Sequence, residues 1–250
     1  MPAKGPRPAP KVKIFVGVDT GGTFTDIVCI DGADTRSLKV PSTPDDPARA
    51  VLEGLESLLG RRRAALLTYG TTVATNAMLE RKGARVALVT TSGFEDVIEI
   101  GRQARPELYA LEPRKTPPLV PAAMRFGARE RMLYDGSPAS KPSRTSLVAL
   151  RRSIRAKGAS SVAVCLLHAH VNGRHEREVG RELSRLGIPV TLSHKLCPRA
   201  GEFERTSTTV ANAYVRPLID GHLERLARGS RAAVLRVMQS TGGAIGAAAA

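Results

Sequence analysis

From Lys13 the chain alternates, with Ile14, Val16 and Val18 on one face of a period-two repeat that ends at Asp19. The turn Thr20-Gly21-Gly22-Thr23 follows, and a second apolar run from Phe24 to Ile30 completes the pattern of a β-hairpin. Asp45, Asp46 and Pro47 mark a helix start. Val51, Leu52, Leu55, Leu58 and Leu59 then recur at helical spacing until Gly60 stops them. Leu66–Tyr69 predicts a short strand leading into a helix from about Thr72 to Lys82, with Gly83 closing it and Arg85–Thr90 forming the next strand. Residues 104–142 hold seven prolines and predict an irregular excursion with one small hairpin around Met124–Tyr134. Regular spacing returns with a helix over 145–157, a strand over 161–167, a helix over 175–186 closed by Gly187, and a strand over 188–193. A long helix from about Glu204 to Arg228, bent at Pro217, precedes a strand over Val234–Met238, and the terminal GGAIGAAAA offers no closing element. Strands and helices in alternation predict an α/β domain with a substantially parallel sheet.

Composition narrows the class. The 250 residues suffice for one large domain or two small ones, and 42% hydrophobic with 24% charged residues is an ordinary globular balance that excludes a fibrous or wholly disordered chain. The net charge of +15 rests on 29 Arg against 9 Lys and lies mostly after residue 125. Most of those arginines fall on outward faces of amphipathic helices. Five Phe, four Tyr and no Trp supply no stacking platform, so a solvated or partner-facing surface is expected and a nucleic-acid footprint is not. Cys29, Cys165 and Cys197 show no C-x-x-C spacing, which argues against a disulfide framework or zinc ribbon and fits a reducing cytosol. The Pro-broken segment 1–12 reads as a loose tail, and Ile14–Val18 is too short for a signal-peptide core or a membrane span. A cytoplasmic chain without membrane contact is the expectation.

The candidate chemistry centres on Asp19-Thr20-Gly21-Gly22-Thr23-Phe24-Thr25-Asp26. Gly21 and Gly22 permit positive φ and close approach of backbone N–H groups to a phosphate, Thr23 and Thr25 add hydroxyls, and Asp19 at the strand end suits a water-bridged magnesium ion. A plain strand-joining turn explains the glycines alone; the flanking aspartates and threonines point to a phosphate loop. With no lysine after it and a strand instead of a helix next, it is neither a Walker loop nor a dinucleotide fingerprint. Gly70-Thr71-Thr72 sits at a strand-to-helix turn suited to an anion or a polarised carbonyl, with Asn76 one turn on, although Thr71 or Thr72 serves equally as a cap. Arg102 is either a bidentate carboxylate clamp or an exposed structural arginine. His168 and His170 at a strand end read as structural in the absence of a third metal ligand. Glu204, Arg205, Thr206 and Thr209 open the long helix, where capping and pairing explain them as well as ligand contact does. No nucleophile–base–acid triad is apparent, and Cys165 reads as a buried strand residue.

The segment GVDTGGTFTDIV, Gly17 to Val28, resembles the first phosphate loop of the actin-like ATPase superfamily. Residues 69–102, YGTTVATNAMLERKGARVALVTTSGFEDVIEIGR, and 202–217, EFERTSTTVANAYVRP, follow in the order found in the hydantoinase A and 5-oxoprolinase family, which is related to acetone carboxylase subunits. The resemblance implies an actin-like (ribonuclease H-like) α/β lobe with a mixed sheet, an N-terminal hairpin phosphate loop and flanking helices. Its extent would be 13–230, with 231–250 opening a truncated second domain. It further implies an enzyme using ATP and magnesium to phosphorylate a lactam or imide carbonyl before water opens the ring. Asp19 and Asp26 would be catalytic, with Asp19 holding magnesium through water; Thr20, Gly21, Gly22, Thr23 and Thr25 would grip phosphate; Thr71, Thr72, Asn76 and Arg102 would face the cyclic amide. Tyr69 departs from the family, where His commonly precedes this glycine. No second D-x-G-G-T loop follows Asp26, so the nucleotide cleft is expected to be completed by a C-terminal lobe or partner subunit, and an oligomer is compatible with that expectation. A small-molecule kinase and a catalytically incomplete assembly subunit are the alternatives.

Overall fold

A computed structural model describes residues 13–43, 45–104, 107, 109–112 and 116–247, so the expected tail over 1–12 lies outside the described residues. In chain order the elements are β1 (Ile14–Thr20), β2 (Phe24–Asp31), β3 (Asp34–Pro41), α1 (Pro47–Leu59), β4 (Leu66–Thr71), α2 (Val73–Leu79), β5 (Val86–Thr91) and α3 (Val97–Ile100). A 3-10 turn at Ala122–Met124 leads into β6 (Arg125–Ala128), β7 (Arg131–Met132), β8 (Pro138–Ser140), α4 (Arg144–Ala156), β9 (Ser161–Cys165) and α5 (Arg174–Leu183). Then come β10 (Val190–Leu192), α6 (Ser193–Leu196), α7 (Glu202–Gly229), β11 (Leu235–Met238) and β12 (Ala244–Gly246). The chain forms two compact units, Met1–Asn76 with Ile219–Ala250, and Ala77–Leu218.

The first unit is built on a six-stranded mixed sheet in the order β12-β11-β4-β1-β2-β3. β1 runs antiparallel to β2 and parallel to β4, which is in turn parallel to β11. Alternation along β1 turns Ile14, Val16 and Val18 inward, where they meet Ile27 and Cys29 of β2, Val51, Leu55 and Leu59 of α1, and Leu223 and Leu226 near the end of α7. The opposite face is also apolar: Phe15, Phe24, Val28 and Ile30 are each 41–47% exposed. Strands that are apolar on both faces are characteristic of sheets covered on both sides. Beyond α7, β11 extends the sheet by pairing with β4, and β12 adds an antiparallel edge. β3, which pairs with β2 along its whole length, was not anticipated, because its sequence DTRSLKVP carries polar side chains at exposed edge positions.

The second unit holds an all-parallel sheet in the order β10-β9-β5-β6, with β5 and β9 fully buried. The hairpin expected around Met124–Tyr134 does not form. β6 instead joins β5 in parallel, anchored by the Arg125 guanidinium, which donates to Asp96, Glu99 and the Val120 carbonyl. The small hairpin is β7 with β8.

Buried polar groups tie the strand ends together. The Glu176 carboxylate accepts from the Leu166 and His194 amides, the Ser193 hydroxyl and His194 Nδ1. Arg205, completely buried, donates to the Leu166 carbonyl at 2.8 Å and to His170 Nδ1 at 2.9 Å. His168 is not extended: β9 stops at Cys165 and His168 takes a left-handed φ of 52°. His170 is committed to Arg205, and burial followed by that positive charge lowers its pKa, which supports the structural reading of this histidine pair. All three cysteines are buried and unbridged, and burial pushes the Cys165 thiol upward.

α2 ends at Leu79 and not at Lys82; Arg81 adopts a left-handed φ of 54° and Gly83 packs against Tyr214 of α7. A Cβ at Gly83 would stand 2.1–2.5 Å from three atoms of the Tyr214 ring. Gly83→Ala should therefore lower the urea midpoint of the second unit by an amount equivalent to about 1–3 kcal/mol. An unchanged midpoint would show that the ring can swing aside.

Candidate phosphate-binding site

The site grows from the hairpin. Its turn is closed by the Gly21 N–H donating to the Phe24 carbonyl at 3.0 Å, and it is moored to the end of β3 by the Ser42 N–H donating to the Thr23 carbonyl at 2.8 Å. The N–H groups of Gly22 and Thr23 have no protein partner among the described residues. Neither Gly21 nor Gly22 takes positive φ, contrary to the expectation that the turn needs left-handed backbone. What the glycines supply is room. A Cβ at Gly21 would come within 3.3 Å of the Phe24 carbonyl, and one at Gly22 within 3.7 Å of Asn76 Nδ2.

The alternation of β1 and β2 sorts the loop's side chains onto two faces. Asp19 and Asp26 stand opposite each other in the antiparallel register on the exposed face. Like charges so placed repel unless a cation intervenes. Lys39 meets that need for Asp26, with Nζ at 2.7 Å and 2.8 Å from its two oxygens. Asp19 has no cationic partner among the described residues, and its Oδ1 lies over Gly70, 3.1 Å from where a Cβ would be. An open carboxylate beside two free amides fits the way magnesium is held, through one or two carboxylates and substrate phosphates. No group of three or more His, Cys, Asp or Glu among the described residues forms a self-sufficient metal site.

Thr20 and Thr25 face inward and are buried. The Thr25 hydroxyl is shared with Ser42 at 3.0 Å and Thr20 at 3.5 Å, so of the two hydroxyls expected to reach a phosphate, only that of Thr23 is at the surface. Gly70–Thr72 lies beside the loop because β4 pairs with β1, with Thr72 donating its N–H to the Thr20 carbonyl at 3.2 Å. Asn76 in turn donates to the Thr72 hydroxyl at 3.4 Å, and the Thr71 hydroxyl accepts from the Val73 N–H as a cap. Asp19, Gly21–Thr23, Thr72 and Asn76 are thus brought together within the first unit. Arg102 belongs to the second unit, where it donates to Glu204 at 2.7 Å and lies near the Phe203 ring. That bond holds the Glu204 carboxyl below its usual range. Ser42, whose hydroxyl donates to the Gly21 carbonyl at 2.9 Å, was missed. Its only signal was a hydroxyl pair, Ser42-Thr43, closing a strand that itself went unread.

A mixed sheet whose first two strands enclose a bare glycine loop beside an open carboxylate is consistent with the lobe of an actin-like ATPase fold. The chain belongs to the family described as the hydantoinase/oxoprolinase N-terminal region, which it matches over residues 15–187. It is 35% identical over 240 residues to an uncharacterized protein of Methanocaldococcus jannaschii, covering 91% of this chain and 35% of that protein. It is 33% identical over 231 residues to caprolactamase subunit alpha of Pseudomonas jessenii, covering 86% of this chain and 33% of the subunit. The solved structure of that ATP-dependent caprolactamase superposes with a TM-score of 0.77 at 31% identity, covering 92% of this chain and 36% of its own. A nucleotide-free acetone carboxylase superposes with a TM-score of 0.80 at 28% identity, covering 94% of this chain and 37% of its own. The chain thus spans about a third of the length of these relatives. No described helix is long and apolar enough to cross a membrane.

Proposed function

We propose that this chain forms the phosphate-gripping lobe of an ATP-dependent enzyme that activates the carbonyl of a cyclic amide for ring opening. The observation that carries the reading is the pairing of two backbone N–H groups, Gly22 and Thr23, with an Asp19 carboxylate at the same strand end, none of which has a hydrogen-bonding or cationic partner among the described residues. The ATP-dependent caprolactamase among its relatives, an enzyme named for a cyclic amide, and the family's own description support the substrate class.

Phosphoryl transfer calls on a protein for positioning and charge stabilisation more than for covalent chemistry. Gly22 and Thr23 would direct their N–H groups at the terminal phosphates, and Asp19, with Asp26 opposite it, would hold magnesium there. Magnesium bound there supplies positive charge to the phosphate oxygens. The amide oxygen takes the γ-phosphoryl group as the bond to ADP breaks. Water then adds to the activated carbon, the C–N bond opens, and inorganic phosphate leaves. Thr72 and Asn76, beside the loop, would orient the ring carbonyl, with Thr71 behind them; Arg102 is kept as a candidate carboxylate clamp on the chemistry of its guanidinium alone. The second phosphate loop and the adenosine pocket would come from a further lobe or partner subunit, matching the two thirds of the relatives that this chain does not span.

The test is ATP hydrolysis by the chain joined to that complementary part, with 5-oxoproline, hydantoin, N-methylhydantoin and caprolactam supplied in turn. The expected result is phosphate release coupled one-to-one to ring opening with at least one of them. Transfer of phosphate to an alcohol without ring opening would replace this reading with that of a kinase. Association of the two parts without any turnover would replace it with an assembly role.

A further inference from the structure

Behind the loop, on the buried face of the sheet, runs a chain of polar groups through an otherwise apolar core. Ser42 Oγ holds the Gly21 carbonyl and meets Thr25 Oγ1; Thr25 reaches Thr20; and the Thr20 and Thr71 hydroxyls flank the Tyr69 hydroxyl. Tyr69 is itself 2.7 Å from Nε2 of His222 on α7. Tyr69 and His222 are 0% and 1% exposed, with ring centroids 5.3 Å apart, among Val18, Leu67, Leu223 and Leu226. Burying a tyrosine hydroxyl and an imidazole in such a core is costly unless each polar atom is used. His222 Nδ1 has no partner among the described residues. The pair therefore incurs a desolvation cost that a phenylalanine and a leucine would avoid, and packing alone does not account for it. Burial also pushes the Tyr69 hydroxyl up and the His222 imidazole down, so both are neutral near pH 7 and meet as a neutral hydrogen bond.

Tyr69 is in addition the residue before Gly70, the bare position over which the Asp19 carboxylate lies. Its backbone pairs with Val18 on one side and Val237 on the other, so its side chain has one place to go. The polar chain thus begins at a helix and ends on the carbonyl of the first loop glycine.

We propose that Tyr69 and His222 are positioning residues for the phosphate loop. Through Thr20, Thr25 and Ser42 the pair fixes the Gly21 carbonyl from behind, and so aims the N–H groups of Gly22 and Thr23 outward. The phosphate role of the loop rests on the reading above; its anchoring from behind is a property of the free chain and is tested separately.

The Gly21 and Ser42 amides close the loop, so their hydrogen exchange reports its opening, while the Val16 amide in β1 reports opening of the whole unit. In the 250-residue chain, Tyr69→Phe should speed exchange at Gly21 and Ser42 by about tenfold beyond any change at Val16, the loss expected for one buried hydrogen bond. It should also move the amide resonances of Gly22 and Thr23. His222→Leu should do the same, and His222→Gln, which keeps a polar atom near the tyrosine hydroxyl, should recover most of the wild-type behaviour. Exchange at Gly21 and Ser42 that follows Val16 in every variant, or equal behaviour of the Leu and Gln variants, would overturn the proposal. Titration of the wild-type chain with magnesium and ATP completes the design. Unmoved loop resonances there would count against the phosphate reading and leave the anchoring result standing.

Discussion

Glu176→Ala should destabilise the second unit by on the order of 3–5 kcal/mol, the cost of stranding several buried donors at once. The carboxylate is 0% exposed and accepts four hydrogen bonds, from two backbone amides, a serine hydroxyl and a histidine ring nitrogen. Those bonds join the end of β9 to the start of α6, so removing the acceptor leaves donors from two elements facing an apolar hole. Glu176→Gln should recover only part of the loss, because its oxygen can still accept from one pair of donors while its NH2 presents donors to the other pair. The check is chemical denaturation followed by circular dichroism, with the two units fitted as separate transitions. A loss below about 1 kcal/mol, the value of one ordinary hydrogen bond, would mean that water replaces the carboxylate and the network is not a keystone.

The second large effect is on activity. With the chain joined to the complementary part proposed above, Asp19→Ala should reduce ATP turnover by about a hundred- to a thousandfold, as removing one preorganised charge-stabilising group does elsewhere. Fold stability should hardly change, since Asp19 is exposed and has no cationic partner among the described residues to lose. Asp26→Asn should cost less, because Lys39 already compensates that carboxylate. Paramagnetic manganese offers an independent reading: with ATP present it should broaden the amides of the loop in the wild-type chain and spare them in Asp19→Ala. Equal broadening in both would remove Asp19 from the metal's surroundings.

Much of this was legible in the residues themselves. The period-two repeat through Ile14, Val16 and Val18 predicted β1, and the glycine pair between two apolar runs predicted the hairpin, because both signals are local. α1, α4 and α7 fall within about two residues of their expected bounds for the same reason, including a helix that continues through Pro217. What escaped lacked an apolar pattern of its own and is a strand only through its neighbour. β3 is polar because it is an edge, β6 is a strand only because β5 lies beside it, and β12 exists by pairing with β11. In the site, Asp19, the glycines, Thr72 and Asn76 could be named from type and spacing. The inward turn of Thr20 and Thr25 follows from the same alternation that predicts β1 and β2, yet it was overridden by their chemistry. Ser42 and His222 lie at separations of 21 and 153 residues from the groups they hold, and no local pattern announces them. The basic charge has a partial explanation of the same kind: Arg151, Arg174, Arg185 and Arg228 meet glutamates on neighbouring turns or helices.

The three unbridged thiols provide a built-in clock for each half of the chain. Cys29 is sealed at 0% exposure in the first unit, and Cys165 and Cys197 at 4% and 7% in the second. A thiol reagent can reach each only when its own surroundings open, so labelling rates followed by mass spectrometry time the breathing of the two units separately, with no engineered probe.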